Sequence, residues 1–337
     1  MAEANLPACI RFLLSPAAYP HPAPEVRLVQ THISYVLLAG DFVYKIKKPV
    51  DFGFLDFTTL EKRRYFCEQE LLLNRRLCPA LYLGLVAITG QDGTFSLDGP
   101  GAPVEYAVKM ARMPEEKMMG RVIAAGRLDR ETIDRIVAIL VPFYAKAEGG
   151  EEISKFGTAK AVSVNVLENF EQTQSFIGCP ALGRGQYEAI SSYARAFLAR
   201  EDLFAQRRAA GRIRDCHGDL YSANICLDDP IQIYDCIEFN QRFRYCDVAS
   251  DVAFLAMDLD FHGLGDLSAY FIDSFGKASG DDSLQSMLNF YKCYRAYVRG
   301  KIGLFTAHAP EVDAATKETC LAQAKKYFAL AERYAAA

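Results

Sequence analysis

Between residues 217 and 235 the chain carries His217-Gly218-Asp219, an asparagine five positions on at Asn224, and a second aspartate eleven positions later at Asp235. Asp235 closes the apolar run IQIYD, which follows a first short run, ICL, across Asp228-Asp229-Pro230. This order constrains the fold more than any other feature. It demands a polar turn, a short hairpin and a carboxylate delivered at a strand end. Asp219, Asn224 and Asp235 agree in order, spacing and strand context, which marks them as a candidate site. The competing reading makes Asp219 a cap and Asn224 a partner for backbone groups, and the arrival of Asp235 on cue speaks against it.

The texture of the chain changes along its length. Residues 26–48 alternate in strand fashion, and the runs SYVLLAG and FVYKIKK flank Gly40-Asp41, a turn-forming pair, so a β-hairpin is expected. Thr58-x-x-Glu61 reads as a capping box opening a helix that runs to about Leu77. Two more strands, LYLGLVAIT and VEYAVKMARM, lie either side of a Gly/Asp/Pro-rich turn region. From Pro114 the pattern turns helical, with helices expected over 129–148, 162–176, 184–209, 248–261, 266–276, 283–306 and 314–335. The expected class is α+β, with a small antiparallel β lobe carrying one helix at 1–113 and a larger, mainly helical lobe at 114–337.

Composition narrows the function. At 337 residues and 51% hydrophobic content the chain can bury a core without disulfides or structural metal, and a formal charge of −4 gives no basic field for nucleic acid or anionic membrane. No cationic start leads into a long apolar run, and no stretch of about 18 apolar residues is uninterrupted. A cytoplasmic protein is expected, with no membrane or nucleic-acid partner. Cys216, Cys226, Cys236 and Cys246 recur every ten residues, an interval that suits no metal-ligand pairing, so they read as buried thiols.

The spacing Asp219 to Asn224, followed by Asp235, matches the catalytic loop and metal-binding aspartate of kinases. The run HGDLYSANICLDDPIQIYDCIEF further resembles the aminoglycoside phosphotransferase family, with its choline, homoserine and fructosamine kinase relatives. The resemblance implies a protein-kinase-like two-lobed fold and transfer of the γ-phosphate of ATP to a hydroxyl of a small molecule. It implies that Asp219 orients or deprotonates the acceptor, that Asn224 and Asp235 hold Mg²⁺, and that His217 braces the loop. It also calls for a strand lysine paired with a helix glutamate to hold the α- and β-phosphates. Lys45 and Lys47 share one strand face; Lys45 is preferred, and Lys47 stays open. Glu70 is the preferred partner, with Glu68 as the alternative. The acid Glu238 either supports the metal shell or fixes the loop.

Asp51-Phe52-Gly53 spells the metal-binding tripeptide of protein kinases but lies upstream of the catalytic loop, so order rules it out. No G-x-G-x-x-G stands at the first hairpin, which leaves Thr31, His32 and Ser34 to cover the phosphates, and no G-x-x-x-x-G-K-[ST] occurs. The adenine is expected against backbone at Lys109 to Met113, with Met110 and Met113 as contacts. THISYV, YKIKKPVDFGFLDF and DCIEFN further resemble a bacterial subgroup in which some members append a separate P-loop kinase domain. Asp247 and Asp251 are expected to brace the catalytic region, with capping an equal reading for Asp247. From Cys246 to Asp282 eight aspartates face one lysine. In the family such acidic walls bind cationic substrates, but a solvated acidic helix face is the preferred reading. Two rival functions remain, a nucleotide-binding regulatory pseudokinase and a kinase acting on a protein substrate. Sequence leaves the acceptor, ATP against GTP, and the oligomeric state open.

Overall fold

Gly40-Asp41 makes the turn that the sequence requires. A computed structural model, which describes residues 6–309 and 312–337, places β2 (Ser34–Ala39) antiparallel to β3 (Phe42–Lys47) with Ala39 opposite Phe42. Gly40 has φ +57°, and a Cβ there would lie 2.3 Å from the Pro22 carbonyl oxygen, so a side chain is excluded twice over. The full sheet has six strands in the order β1-β2-β3-β6-β4-β5, where β1 is Val26–Gln30, β4 Tyr82–Gln91, β5 Thr94–Leu97 and β6 Ala102–Ala111. All its pairings are antiparallel.

Both faces of the central strands are covered. On one, helix α1 (Ala8–Leu13) buries Ile10 and Leu13 against Leu37, Tyr44, Ile46 and Val86. On the other, helix α2 (Leu60–Asn74) sets Cys67 and Leu71 against Val43, Val108 and Met110. Burial of each such side chain contributes about 1.5–3 kcal/mol. Because Val43, Lys45 and Lys47 alternate onto the face that carries α2, the two lysines are drawn under a helix rather than into water.

Helix α2 begins one residue later than the capping box suggested. Thr59 is the cap, its side chain accepting from the Lys62 amide, while the Thr58 hydroxyl donates to Asp56 at 2.6 Å. Thr59→Ala should therefore cost about 1 kcal/mol, read as a lower urea midpoint at unchanged slope. Thr58→Ala should cost less. The helix ends at Asn74 rather than Leu77, with Cys78 donating its thiol to the Asn74 carbonyl.

The remaining elements are α3 (Met119–Ala124), α4 (Arg130–Lys146), α5 (Glu151–Ser154), α6 (Ala159–Gln172), α7 (Arg184–Leu198), α8 (Glu201–Ala209), β7 (Ile213–Asp215), β8 (Ile225–Cys226), β9 (Gln232–Ile233), α9 (Gln241–Arg244), β10 (Tyr245–Asp247), α10 (Val248–Phe261), α11 (Gly265–Ser279), α12 (Gln285–Ala307) and α13 (Ala314–Ala336). The helix expected over 184–209 is two helices, broken at Arg200 with φ −85° and ψ 64°. No helix among the described residues is long and apolar enough to cross a membrane.

The chain forms two compact units. One comprises the chain up to Arg121 together with Ile225–Gln241; the other comprises Val122–Asn224 and Arg242–Ala337. This differs from a single boundary near residue 113. The β8–β9 hairpin returns to the N-terminal unit, where the Leu227 amide bonds the Lys117 carbonyl at 2.8 Å and Lys117 pairs with Asp228. In the second unit α10 is buried from Val248 to Leu259, as suits a helix that is apolar nearly all round, and it packs on α11 and α12.

Candidate active site

In the first unit the chemistry gathers on β3, α2 and the segment after β9. Lys45 Nζ lies 2.8 Å from Glu70 Oε1 and 2.6 Å from Asp235 Oδ1. Lys47 Nζ lies 2.7 Å from Glu70 Oε2 and pairs with Glu238, under the Phe57 ring at 4.9 Å. Both lysines thus meet the same glutamate, one on each oxygen. What separates them is access: the Lys45 side chain is 16% exposed and the Lys47 side chain 1%. Burial alone would discharge both, but Asp235 and Glu70 hold Lys45 well above the usual lysine range, and Glu238 and Glu70 do the same for Lys47. Burial would raise Glu70, yet Lys45 and Lys47 lower it to about 2. Glu68 is solvent-facing and paired with Arg64 at 3.0 Å, one helical turn back, whereas Glu70 faces both lysines.

Asp235 sits in left-handed backbone, φ +62°, and its side chain is 43% exposed. That conformation is unusual for a residue other than glycine. The Tyr82 hydroxyl accepts from its amide at 3.3 Å, and Asn74 Oδ1 accepts from the Cys236 amide at 2.9 Å. Helix α2 therefore holds the turn that presents this carboxylate.

In the second unit β7 pairs antiparallel with β10 and runs directly into Cys216-His217-Gly218-Asp219. The Asp251 carboxylate, fully buried on α10, accepts from the His217 amide at 2.7 Å, the Gly218 amide at 3.0 Å and the Tyr144 hydroxyl at 3.1 Å. Arg295 on α12 donates to the Gly218 carbonyl at 3.0 Å and to Ser250 Oγ at 3.2 Å. His217 is buried, and its Nδ1 accepts from the Asp219 amide at 3.2 Å. Asn224 donates through Nδ2 to both the Asp219 carbonyl and Asp219 Oδ2, each at 2.9 Å. With its nitrogen so committed, Oδ1 is the Asn224 atom suited to a cation.

Comparison with known proteins follows these features. No family model matches the chain. Uncharacterized proteins from Mycobacterium bovis and Mycobacterium tuberculosis are 35% identical over 287 residues, 84% of this chain and 56% of theirs. The chain spans about half the length of these curated relatives. Among solved structures, a choline/ethanolamine kinase family protein from Mesorhizobium loti superposes with a TM-score of 0.54 at 12% identity, covering 97% of each chain. An amicoumacin kinase in complex with AMP-PNP and Ca²⁺ gives 0.52 at 13% identity, covering 90% of this chain and 87% of its own. The chain has the aminoglycoside-phosphotransferase-like kinase fold.

Within this kinase fold the sequence-derived contacts for the nucleotide base and phosphates land unevenly. The Met110 side chain is in the core beneath α2, and Met113 packs at the edge of the same cluster. The amides of Ala111 and Arg112 already bond the carbonyls of Leu81 and Asp41, at 2.9 and 2.8 Å. A base contact to either would compete with an existing bond. Thr31 and His32 are exposed, and Thr31 Oγ1 accepts from the Ser34 amide at 2.9 Å. Ser34 is buried, and its own hydroxyl has no partner among the described residues.

The acidic stretch from Cys246 to Asp282 is not a wall. Asp247 caps α10 through the Ala249 amide and pairs with Arg207 at 2.6 Å, so it is both cap and brace. Asp281 pairs with the same arginine, Asp258 accepts from the Ser222 amide at 3.0 Å, and Asp260 pairs with Lys292 at 2.9 Å. With Asp251 under the His217-Gly218-Asp219 loop, only Asp266, Asp273 and Asp282 of the eight are solvent-exposed. Sequence reasoning missed Arg295, Tyr144, Asn74 and Tyr82, each of which acts through contacts remote in sequence. It also missed Arg299, one turn beyond Arg295, whose guanidinium stacks on the Tyr221 ring at 4.6 Å.

Proposed function

We propose that the chain is an ATP-dependent phosphotransferase that moves the γ-phosphate to a hydroxyl of a small molecule. The observation that carries the reading is the Lys45–Glu70 pair with Asp235 on the same lysine, found together with the Asp219–Asn224 hydrogen bonds in one kinase-fold chain. Phosphoryl transfer asks a protein for position and charge rather than covalent chemistry, and these are the groups that supply both. The amicoumacin kinase of the same fold, in complex with AMP-PNP, supports a nucleotide as the donor.

The residues divide the work as follows. Lys45, partly exposed and held charged, would meet the α- and β-phosphates, and Glu70 would keep it extended along the strand face. Asp219, fixed by Asn224 and by the His217 brace, would orient the acceptor hydroxyl and receive its proton. Asn224 Oδ1 and the Asp235 carboxylate are each an oxygen of the kind that Mg²⁺ accepts, and Mg²⁺ bound with the nucleotide would neutralise charge on the transferring phosphate. Among the described residues no cluster of three or more His, Cys, Asp or Glu could cage a metal.

The acceptor need not be a polycation. Five of the eight aspartates in the acidic stretch serve internal bonds, and Arg299 adds a positive charge against Tyr221, two residues past Asp219. ADP release measured with Mg·ATP against a panel of alcohols, sugars, hydroxy acids and amino alcohols tests the reading. At least one class should raise the rate well above the basal value, and only with Mg²⁺ present. Nucleotide binding without ADP release for any class would instead favour a regulatory pseudokinase, and release only with a protein substrate would favour a protein kinase.

A further inference from the structure

A phosphate-holding lysine requires one carboxylate partner, and Lys45 has that partner in Glu70. The second pair, Lys47 with Glu238, is left without a task in phosphate binding, since Lys47 is almost wholly enclosed by Glu70, Glu238 and the Phe57 ring. Enclosing an additional ion pair is a poor way to gain stability, because apolar side chains of similar volume often do as well or better. Its worth must lie in where it holds the backbone. Glu238 is the third residue after Asp235, whose φ of +62° persists only if the surrounding chain determines it.

The turn is held on both sides. Before and at the turn, Tyr82 takes the Asp235 amide and Asn74 the Cys236 amide, and the Asn74 side chain in turn donates to the Glu70 carbonyl at 2.9 Å. After it, Glu238 is fastened to Lys47, and Asn240 donates to the Phe54 carbonyl at 2.8 Å. Lys47 also occupies the Glu70 oxygen that Lys45 does not. The pair therefore ties the turn that presents Asp235 to β3 and α2, while Lys45 keeps its own contact to Glu70 Oε1.

We propose that Lys47 and Glu238 are positioning residues for cation binding: they lock the Asp235 turn to β3 and α2 so that the Asp235 carboxylate is presented beside Lys45. This rests on the nucleotide reading above, and it assigns Glu238 to the loop rather than to the metal shell. A partner that orients a metal ligand shows its loss in metal affinity, of the order of 10- to 100-fold, rather than in the affinity of the bare nucleotide.

Calorimetric titration of the full chain with AMP-PNP, at a series of Mg²⁺ concentrations and without metal, tests this. In Glu238→Gln the Mg²⁺ concentration giving half of the metal-dependent gain in affinity should rise at least about tenfold, while metal-free AMP-PNP affinity stays within about twofold. Lys47→Met should do the same; if it does not fold, Glu238→Gln, which keeps a hydrogen-bonding side chain of the same shape, decides alone. Lys45→Met should weaken AMP-PNP with and without metal. A Glu238→Gln protein that melts earlier yet keeps the original Mg²⁺ dependence overturns the proposal and leaves the nucleotide reading standing. No AMP-PNP binding by the unaltered chain under either condition overturns both.

Discussion

Asp219→Asn should lower turnover about 10³-fold, within the roughly 10²- to 10⁴-fold span of a positioned acid or base, with AMP-PNP affinity and melting temperature nearly unchanged. The substitution is close to isosteric, and the asparagine oxygen can still accept from Asn224 Nδ2, so the loop should keep its shape. What is lost is the negative charge that draws the acceptor proton. A loss confined to kcat follows from that, because an interaction made in the transition state and not in nucleotide binding changes rate without changing nucleotide affinity. Steady-state ADP release beside equilibrium AMP-PNP titration separates the two quantities. Retention of more than a tenth of the turnover would remove Asp219 from the chemistry.

The second large effect is on stability. Asp251→Ala should destabilise the chain by about 3–5 kcal/mol, the cost of breaking a buried charged network from one side. The carboxylate it deletes is fully buried and accepts from two backbone amides and the Tyr144 hydroxyl, with Arg295 beside it at 3.7 Å. Each amide left without a partner costs about 1–3 kcal/mol, and Arg295 is left buried with one fewer anion. Urea unfolding should show the midpoint fall. Asp251→Asn should be milder, since an amide oxygen replaces one acceptor while its NH₂ cannot receive the other amide. A near-neutral Asp251→Ala would mean that the His217-Gly218-Asp219 loop does not depend on this carboxylate.

How much of this was legible in the sequence depended on how far each determinant lay along the chain. The Asp219, Asn224 and Asp235 spacing was readable because it is local, as was the helix over 248–261, whose bounds the structure reproduces, opened by an Asp247 cap. Glu70 over Glu68 followed from its place on the apolar stripe of α2. The choice between Lys45 and Lys47 was half legible. Alternation put both on one face, but the residue that distinguishes them, Glu238, is 191 positions from Lys47.

Other elements left little mark. Strands β7 and β10 are three residues each and carry Arg214, Asp215 and Asp247, which no alternation rule would pick out. Helix α1 spans only six residues, and β5 four, inside a stretch rich in turn formers. The five bonded aspartates read as surface because their partners, Arg207, Lys292 and the amides of His217, Gly218 and Ser222, lie outside the stretch that contains them. The division of the chain was hidden for the same reason. Residues 225–241 follow the 217–224 loop in sequence but pack with the sheet, because Glu238 and Asp235 are bound to β3 lysines.

The most direct test of the account is to follow the γ-phosphate itself. ³¹P spectroscopy of the chain with Mg·ATP and the acceptor class that raises ADP release should show the γ resonance decay while a phosphate monoester signal grows in equal amount, and neither change should occur with Asp219→Asn. Decay to inorganic phosphate alone, or no decay with any acceptor despite bound nucleotide, would contradict it.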